Sequence, residues 1–394
     1  MYSYTQFLEE NKDYAFGMPI KWQDLNINLD QAGFDSCCQK IATLIDLEST
    51  KLINEPQLLQ DFSYPKNALD YLDTNLSIMR LSFVVDTHGQ PKLIETNSQT
   101  PSFFWECHDG LMDNYKITDQ NTQKYKQVLT DYLQNQIGLI NIKLNRITKP
   151  RVGLVCCDHA DDLFQMEYLK TLISSTNSTS HIEVLTIGQL DISSQGTAFS
   201  TQSNKELDAL LLWYPIEWLA TEKFADSSMA LNSIFELVRE NKLHIINGMQ
   251  SFITQNKELL AQIYETANSE TLGNLMEMIV PSFYTLDDFR KELGSVDYIA
   301  KPVFGREGQG IFGEVDGASF QGDLSDSYYT DQNYIYQPLV NTSNLIIDGK
   351  EFKYTLEKWV VKIDGGWQSA GQSLRINNAQ DLIVNNTCKW SALI

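Results

Sequence analysis

The rhythm of apolar residues changes near residue 298. Upstream of it, Val152–Cys156, Ile182–Leu185, Ala209–Trp213 and Leu243–Ile246 are short apolar runs, with helix-period segments at 161–175 and 228–241. Short buried strands alternating with helices imply a small parallel sheet, since parallel neighbours need a crossover connection. A further helix is expected near 256–268. Beyond it Tyr298–Val303, Ile311–Val315, Tyr334–Val340, Phe352–Ile363 and Trp367–Ile376 read as strands, many of alternating character. Asp364-Gly365-Gly366 sits between the last two and is a hairpin turn sequence. The chain is therefore expected to hold an α/β middle lobe and an antiparallel lobe toward the C-terminus.

Before residue 80 the pattern is mostly helical, with an aromatic start (Tyr2, Tyr4, Phe7, Tyr14, Phe16) expected to pack on the core. Arg80–Asp86 and Lys92–Asn97 are two β-rich runs around a turn containing Gly89 and Pro91, so they read as a hairpin. Residues 111–144 read as helix, and the Ser/Thr-rich stretch 189–204 as a loop.

Composition excludes several classes. A chain of 394 residues suggests two or three domains, and 42% hydrophobic residues suffice for a sizeable core. A formal charge of −21 argues against sequence-independent nucleic-acid binding, which rests on Lys and Arg against phosphates. That charge suits cationic substrates, although solubility alone explains it. The start of the chain lacks a basic stretch followed by an apolar one, and no apolar run is long enough to span a bilayer. The six cysteines form two vicinal pairs and two singles, with neither a disulfide framework nor C-x-x-C spacing. A cytoplasmic, reduced protein without a membrane or nucleic-acid partner is expected. Cys156 and Cys157 are adjacent on a strand end and point to opposite faces, so they cannot readily share an ion. They read as the end of a buried strand, with Asp161 or Asp162 capping the next helix. Cys107 beside His108 reads as a packing cysteine.

Two clusters carry chemistry. The first is Lys301-Pro-Val-Phe-Gly-Arg-Glu-Gly-Gln-Gly-Ile-Phe-Gly-Glu-Val315, with glycines at 305, 308, 310 and 313. Gly308-x-Gly310-x-x-Gly313 matches a dinucleotide fingerprint, but a strand rather than a helix follows, which removes that reading. The kinase form G-x-G-x-x-G-x-V also fits, but no V-A-I-K, H-R-D or D-F-G accompanies it. What remains is a glycine hairpin whose N–H groups can approach phosphate oxygens beside Lys301 and Arg306. A glycine-rich turn without a ligand satisfies the same residues equally well.

The second cluster is Arg80 with Ile94-Glu-Thr-Asn-Ser-Gln-Thr-Pro101. Glu95 and Asn97 are two apart on a strand and share a face. With Arg80 they could hold Mg2+ and a phosphate. Taken by itself, the hairpin is better read as an ordinary Arg–Glu cross-strand pair.

Together these segments resemble the glutathionylspermidine synthetase family, whose members are ATP-grasp ligases. Lys92-Leu-Ile-Glu-Thr-Asn-Ser-Gln-Thr-Pro101 resembles its Leu-Glu-x-Asn-x-x-Thr-Pro segment, and Lys301–Gly308 its Lys-Pro-x-x-Gly-Arg-x-Gly loop. Weaker similarities follow in family order: Leu212-Trp-Tyr-Pro-x-Glu-Trp218, Gln255-Asn-Lys257, Tyr334-x-Tyr-Gln337, Trp359-Val-Val and Gly371-x-x-x-Arg375. The resemblance implies an α/β, ATP-grasp-like, two-lobed architecture. A small parallel pre-ATP-grasp-like lobe (151–250) would accompany an antiparallel α+β ATP-binding lobe (251–394). The remainder would be a helical segment (1–60) and a first ATP-grasp part carrying the hairpin (61–150). It implies ATP and Mg2+ as cofactors, and an acyl-phosphate route to an amide between a carboxylate and an amine. A glycine-ended peptide and a polyamine are the implied substrates. Lys257, Lys301, Gln337 and the loop Gly305, Arg306, Gly308, Gln309 and Gly310 would bind the nucleotide. Glu95 and Asn97 would bind Mg2+, and Arg80 and Arg375 would neutralise the transferred phosphoryl group.

The chain departs from this pattern. Ser82 stands where the family has the Asp of Arg-x-Asp, Ile376 replaces the Glu of an Arg-Glu pair, and Gln99 replaces the Asp before Thr-Pro. The usual Phe-x-Pro-His is absent from the terminal Lys389–Ile394. Asp86 lies roughly 13 Å from Ser82 on a regular strand, too far for a simple exchange. An active ligase with altered metal or substrate handling is expected, the alternative being a nucleotide-binding relative with weakened or lost catalysis.

Overall fold

The structure is a computed structural model that describes residues 4–12, 14–60, 62–110, 119–266, 273–383 and 387–394. Its centre is a six-stranded antiparallel sheet built from both ends of the chain. β1 (Ile78–Val85) and β2 (Pro91–Asn97) come from the early hairpin, whereas β13 (Leu345–Ile347), β14 (Lys350–Ile363), β15 (Gly366–Asn378) and β16 (Lys389–Ala392) come from the end. The order is β16-β15-β14-β1-β2, with β13 added to β14. The β14–β15 turn carries Asp364 at φ 48° and Gly365 at φ 82°, the left-handed pair that a tight hairpin turn requires.

One face of this sheet is covered by the helices Gln31–Asn54 and Gln120–Lys143. Each begins with a carboxylate cap: Asp30 accepts from Gly33 N, and Asp119 from Thr122 N. Phe34, Cys38, Ile41, Ile45 and Leu52 recur at helical spacing on the first helix and are fully buried. On the same side Lys358 of β14 has no exposed surface, and its ammonium is held by Asp35, Tyr125 Oη (2.9 Å) and Gln372 Oε1 (3.2 Å).

Two further sheets flank the core. The parallel sheet has the order β4-β3-β7-β8 and comprises β3 (Arg151–Cys156), β4 (His181–Thr186), β7 (Ala209–Trp213) and β8 (His244–Ile246). The antiparallel sheet has the order β11-β10-β9-β12, from β9 (Tyr298–Pro302), β10 (Phe312–Val315), β11 (Ala318–Gln321) and β12 (Tyr334–Pro338). The expected α/β middle lobe is present, whereas the strands expected to form one later antiparallel lobe are divided: Tyr298–Pro302, Phe312–Val315 and Tyr334–Pro338 build this sheet, but Lys350–Ile363 and Gly366–Asn378 join the early hairpin in the central one.

Local expectations fare unevenly. Residues 189–204 are not a plain loop: β5 (Leu190–Ile192) and β6 (Ala198–Ser200) pair across a turn. Leu190 and Ala198 are buried there, so two apolar anchors suffice inside a polar stretch. Neither Asp161 nor Asp162 is the N-cap of its helix. His159 holds that position without a side-chain bond, and both carboxylates stand in the first turn, where they favour the positive end of the helix. The expected helix over 111–144 is seen from Gln120; residues 111–118 lie outside the described residues, as do Tyr2 and residues 267–272. Phe7 and Tyr14 pack as expected, Phe7 stacking on Phe164 at 5.2 Å. β16 was not anticipated. It pairs with β15 and is flanked by the N-terminal segment, whose Phe16 and Ile20 amides donate to Trp390 O and Ala392 O.

Removing one partner of a fully buried charge leaves the other unpaired. Asp35→Asn should therefore destabilise the fold by about 3–5 kcal/mol in urea unfolding.

Candidate functional site

A β-bulge organises the centre of the site. β1 and β2 pair Ser82 with Glu95, but the next pair is Phe83 with Leu93, so Ile94 has no partner on β1. Its carbonyl instead accepts from Lys301 Nζ of β9 and Gln337 Nε2 of β12, both at 3.4 Å. One irregularity of the central sheet thus docks the flanking sheet and brings Lys301 beside Glu95.

Two cavities meet at this point. The first, of about 480 Å³, is lined by Glu95, Lys301, Gln337, Gly308, Gln309 and Glu357, among others. The second, of about 930 Å³, includes Arg80, Asn97, Asp161, Asp162, Trp218 and Trp390 in its wall. Glu95, Lys257, Gly305, Glu307 and Arg375 line both.

The electrostatics centre on Glu95. Burial alone would raise its carboxyl, but Lys257, Lys301, Arg375 and Arg80 pull it down to about 2. Lys257 Nζ is 3.7 Å from Glu95 Oε2 and donates to Gly305 O at 2.7 Å, so it ties the glycine loop to the hairpin. Burial lowers Lys257 and brings Lys301 to about 8. Burial also lowers Arg80, partly offset by Glu357. For Arg375 burial is outweighed by Cys388, Glu357 and Glu95, which raise it. Both guanidiniums lie 5.5 Å from the ring of Trp390.

The glycine loop connects β9 to β10, strand to strand. Gly310 has φ 73°, and a Cβ there would meet Pro302 Cγ at 2.6 Å. A Cβ on Gly313 would lie 2.0 Å from Tyr298 O on the paired strand. The glycines therefore serve both a sharp bend and a close backbone approach.

Most residues singled out from the sequence converge, but not all in one place. Lys257, Lys301, Gly305, Gly308, Gln309, Gln337, Glu95 and Arg375 line the first cavity. Arg80, Asn97 and Arg306 line the second. Arg306 turns toward the parallel-sheet side: Nη2 donates to Glu217 Oε1 (2.8 Å) and Gln99 Oε1 (3.1 Å), and Nη1 to Thr100 Oγ1 (3.3 Å). Its guanidinium also lies over Trp218 at 5.6 Å. The segment Leu212–Trp218 thus latches the loop. Asn97 Oδ1 accepts from Thr100 N (2.9 Å) and keeps a second lone pair. Asp86 anchors the β1–β2 turn through His88 N and Gln90 N, away from Ser82.

Sequence reasoning missed Glu357 and Trp390. Glu357 gave little local signal, because its strand already carries Lys350, Glu351, Lys353, Lys358 and Lys362. The wall of the first cavity suits Mg2+ with phosphates: oxygen donors from Glu95, Ser82 and Glu357 stand beside Lys257, Lys301 and Arg375. Gln337 Oε1 is buried without a partner among the described residues, and it adds a further acceptor there.

These features define a synthetase-type ligase scaffold of the ATP-grasp kind. The family described as glutathionylspermidine synthase preATP-grasp matches residues 27–394, and the chain belongs to that family. Among solved structures it is similar to a glutathione synthetase-like effector from Globodera pallida in its apo form. That match has 11% identity and a TM-score of 0.56, over 91% of this chain and 86% of that one. A putative gamma-glutamylcysteine synthetase from Methylobacillus flagellatus matches at 11% identity and a TM-score of 0.45, over 87% and 85% of the respective chains. Among the described residues, no helix is long and apolar enough to cross a membrane.

With Lys301 at about 8, its charge fades above that pH. A bound polyanion would keep it protonated, so binding takes up a proton there. Affinity for tripolyphosphate should fall about tenfold between pH 7 and pH 9 by calorimetry, and Lys301→Arg should flatten that dependence.

Proposed function

We propose that this protein is an ATP- and Mg2+-dependent ligase joining a carboxylate to an amine through an acyl phosphate. The supporting observation is the junction of two cavities at one carboxylate ringed by four cations, Lys257, Lys301, Arg80 and Arg375.

In this reading ATP occupies the first cavity. Lys257 and Lys301 hold its phosphates, and the Gly305–Gly310 loop lies over them. Gln337, whose Oε1 has no partner among the described residues, faces the base. Bound Mg2+ would be held by Glu95 and Asn97 and would neutralise charge on the phosphates. The acid enters the second cavity, and Arg80 and Arg375, which line it, neutralise charge on the phosphoryl group as it is transferred. A carboxylate oxygen bonds to the γ-phosphorus, the bond to the bridging oxygen breaks, and ADP leaves. The amine nitrogen then bonds to the acyl carbon, phosphate leaves with the carbon–oxygen bond electrons, and the nitrogen gives up a proton. Phosphoryl transfer asks the protein for positioning and charge stabilisation, which this cationic ring supplies. Asp161 and Asp162 on the second cavity suit a cationic amine such as a polyamine, and a glycine-ended peptide is the acid that the family suggests. Arg306 keeps the loop joined to Glu217, so the acyl phosphate forms away from bulk water.

A second reading, nucleotide binding without catalysis, is favoured by the departures at Ser82, Gln99 and Ile376. Phosphate release from Mg-ATP with a panel of peptides, amino acids and polyamines separates the two. Stimulation by one acid–amine pair is expected. ATP binding without stimulation by any pair would leave the binding module, and failure to bind ATP would remove both. Lys301→Ala should weaken ATP at least about tenfold, as expected for loss of a buried charge-assisted contact. Unchanged affinity would remove Lys301 from the nucleotide site.

A further inference from the structure

Position 82 looks deficient only when the strand is read alone. β1 lies between β2 and β14, so Ser82 faces Glu95 on one side and Glu357 on the other. The three side chains stand abreast on one face of the sheet and line the same cavity. Glu357 has no exposed side-chain surface, which is costly for a carboxylate unless it is paired. Its partners are Arg80 Nε at 3.1 Å, Thr355 Oγ1 at 2.7 Å and Ser82 Oγ at 2.6 Å. The Ser82 hydroxyl is the donor in the last of these, at a length characteristic of a charge-assisted bond. With its proton committed to Glu357, the oxygen keeps both lone pairs for the cavity. A carboxylate behind a ligand also raises that ligand's basicity.

We propose that Ser82 and Glu357 act as one composite metal ligand, the hydroxyl facing the ion and Glu357 supplying the negative charge from the next strand. This rests on the ligase reading above and deepens it. Glu357 is a positioning residue, since it acts through Ser82. The pair restores to the site the charge that a hydroxyl lacks, so that two carboxylates, Glu95 and Glu357, oppose the ion as in common Mg2+ sites.

The test is Mn2+ titration followed by electron paramagnetic resonance, with saturating β,γ-imido-ATP, beside analogue affinity measured without metal. Glu357→Gln and Ser82→Ala should each weaken Mn2+ about tenfold or more, with metal-free analogue affinity retained. Ser82→Asp placed in the Glu357→Gln background should restore Mn2+ binding to within about threefold of the parent. Mn2+ affinity unchanged in Glu357→Gln overturns the proposal, as does a loss that Ser82→Asp fails to restore, which would mean that Glu357 merely holds Arg80. Should Glu357→Gln fail to fold, Fe2+-directed backbone cleavage of the unaltered protein decides. Cuts near both Ser82 and Glu95 that Mg2+ suppresses are expected, and cuts near Glu95 without any near Ser82 overturn the proposal. If the unaltered protein binds no analogue at all, the ligase reading falls and this inference with it.

Discussion

Glu95 is the charge around which the remaining polar groups are arranged. Four cations from four separate segments converge on it: Arg80 from β1, Lys257 from the loop between two helices, Lys301 from β9 and Arg375 from β15. Without that carboxylate four like charges would share a largely buried space, and the lysines would lose their main offset while Glu357 still paired Arg80. With it, the cluster keeps a net positive charge that a polyanion can complete. The ring is therefore structurally held yet electrostatically open, and this follows from placing one acid at a bulge where two sheets touch.

The bulge explains how the sheets are registered to each other. A regular β1–β2 ladder would engage Ile94, whereas the slip leaves its carbonyl for Lys301 and Gln337. The glycine loop is then fastened on both sides: Lys257 holds Gly305 O, and Arg306 holds Glu217. A loop pinned at two points over a cavity has restricted freedom, and the bond to Glu217 joins it to the side that carries Asp161 and Asp162. The loop thus ties the wall of one cavity to the wall of the other.

Much of this was readable in the sequence where local rules apply. Alternation placed Glu95 and Asn97 on one face, a strand after Gly313 removed the dinucleotide reading, and βα alternation foretold the parallel sheet. What was not readable depends on register between distant strands. Glu357 meets Ser82 across 275 positions of separation, and no local pattern encodes that pairing. The family resemblance counts Arg306 among the nucleotide ligands, yet its side chain points to Glu217, a partner identifiable only once the sheets are assembled. Trp390 was overlooked for a similar reason. Four residues before the end of a chain look dispensable until β16 and the N-terminal segment pair beside β15 and bring the indole beneath Arg80 and Arg375.

Sheets allow a side-chain function to move sideways. Register partners on adjacent strands stand roughly 5 Å apart on the same face, about the reach of one Glu side chain. A charge removed at one position can therefore be supplied from the neighbouring strand while the ion stays where it is, provided that a hydrogen-bonding group remains to bridge the gap. Serine meets that condition and alanine would not. Loss of a carboxylate along a single strand is then weak evidence of a lost site, and the relevant count of charge is taken across the sheet. Here that count gives Glu95 and Glu357 on either side of Ser82, with Arg80 holding the second carboxylate in place.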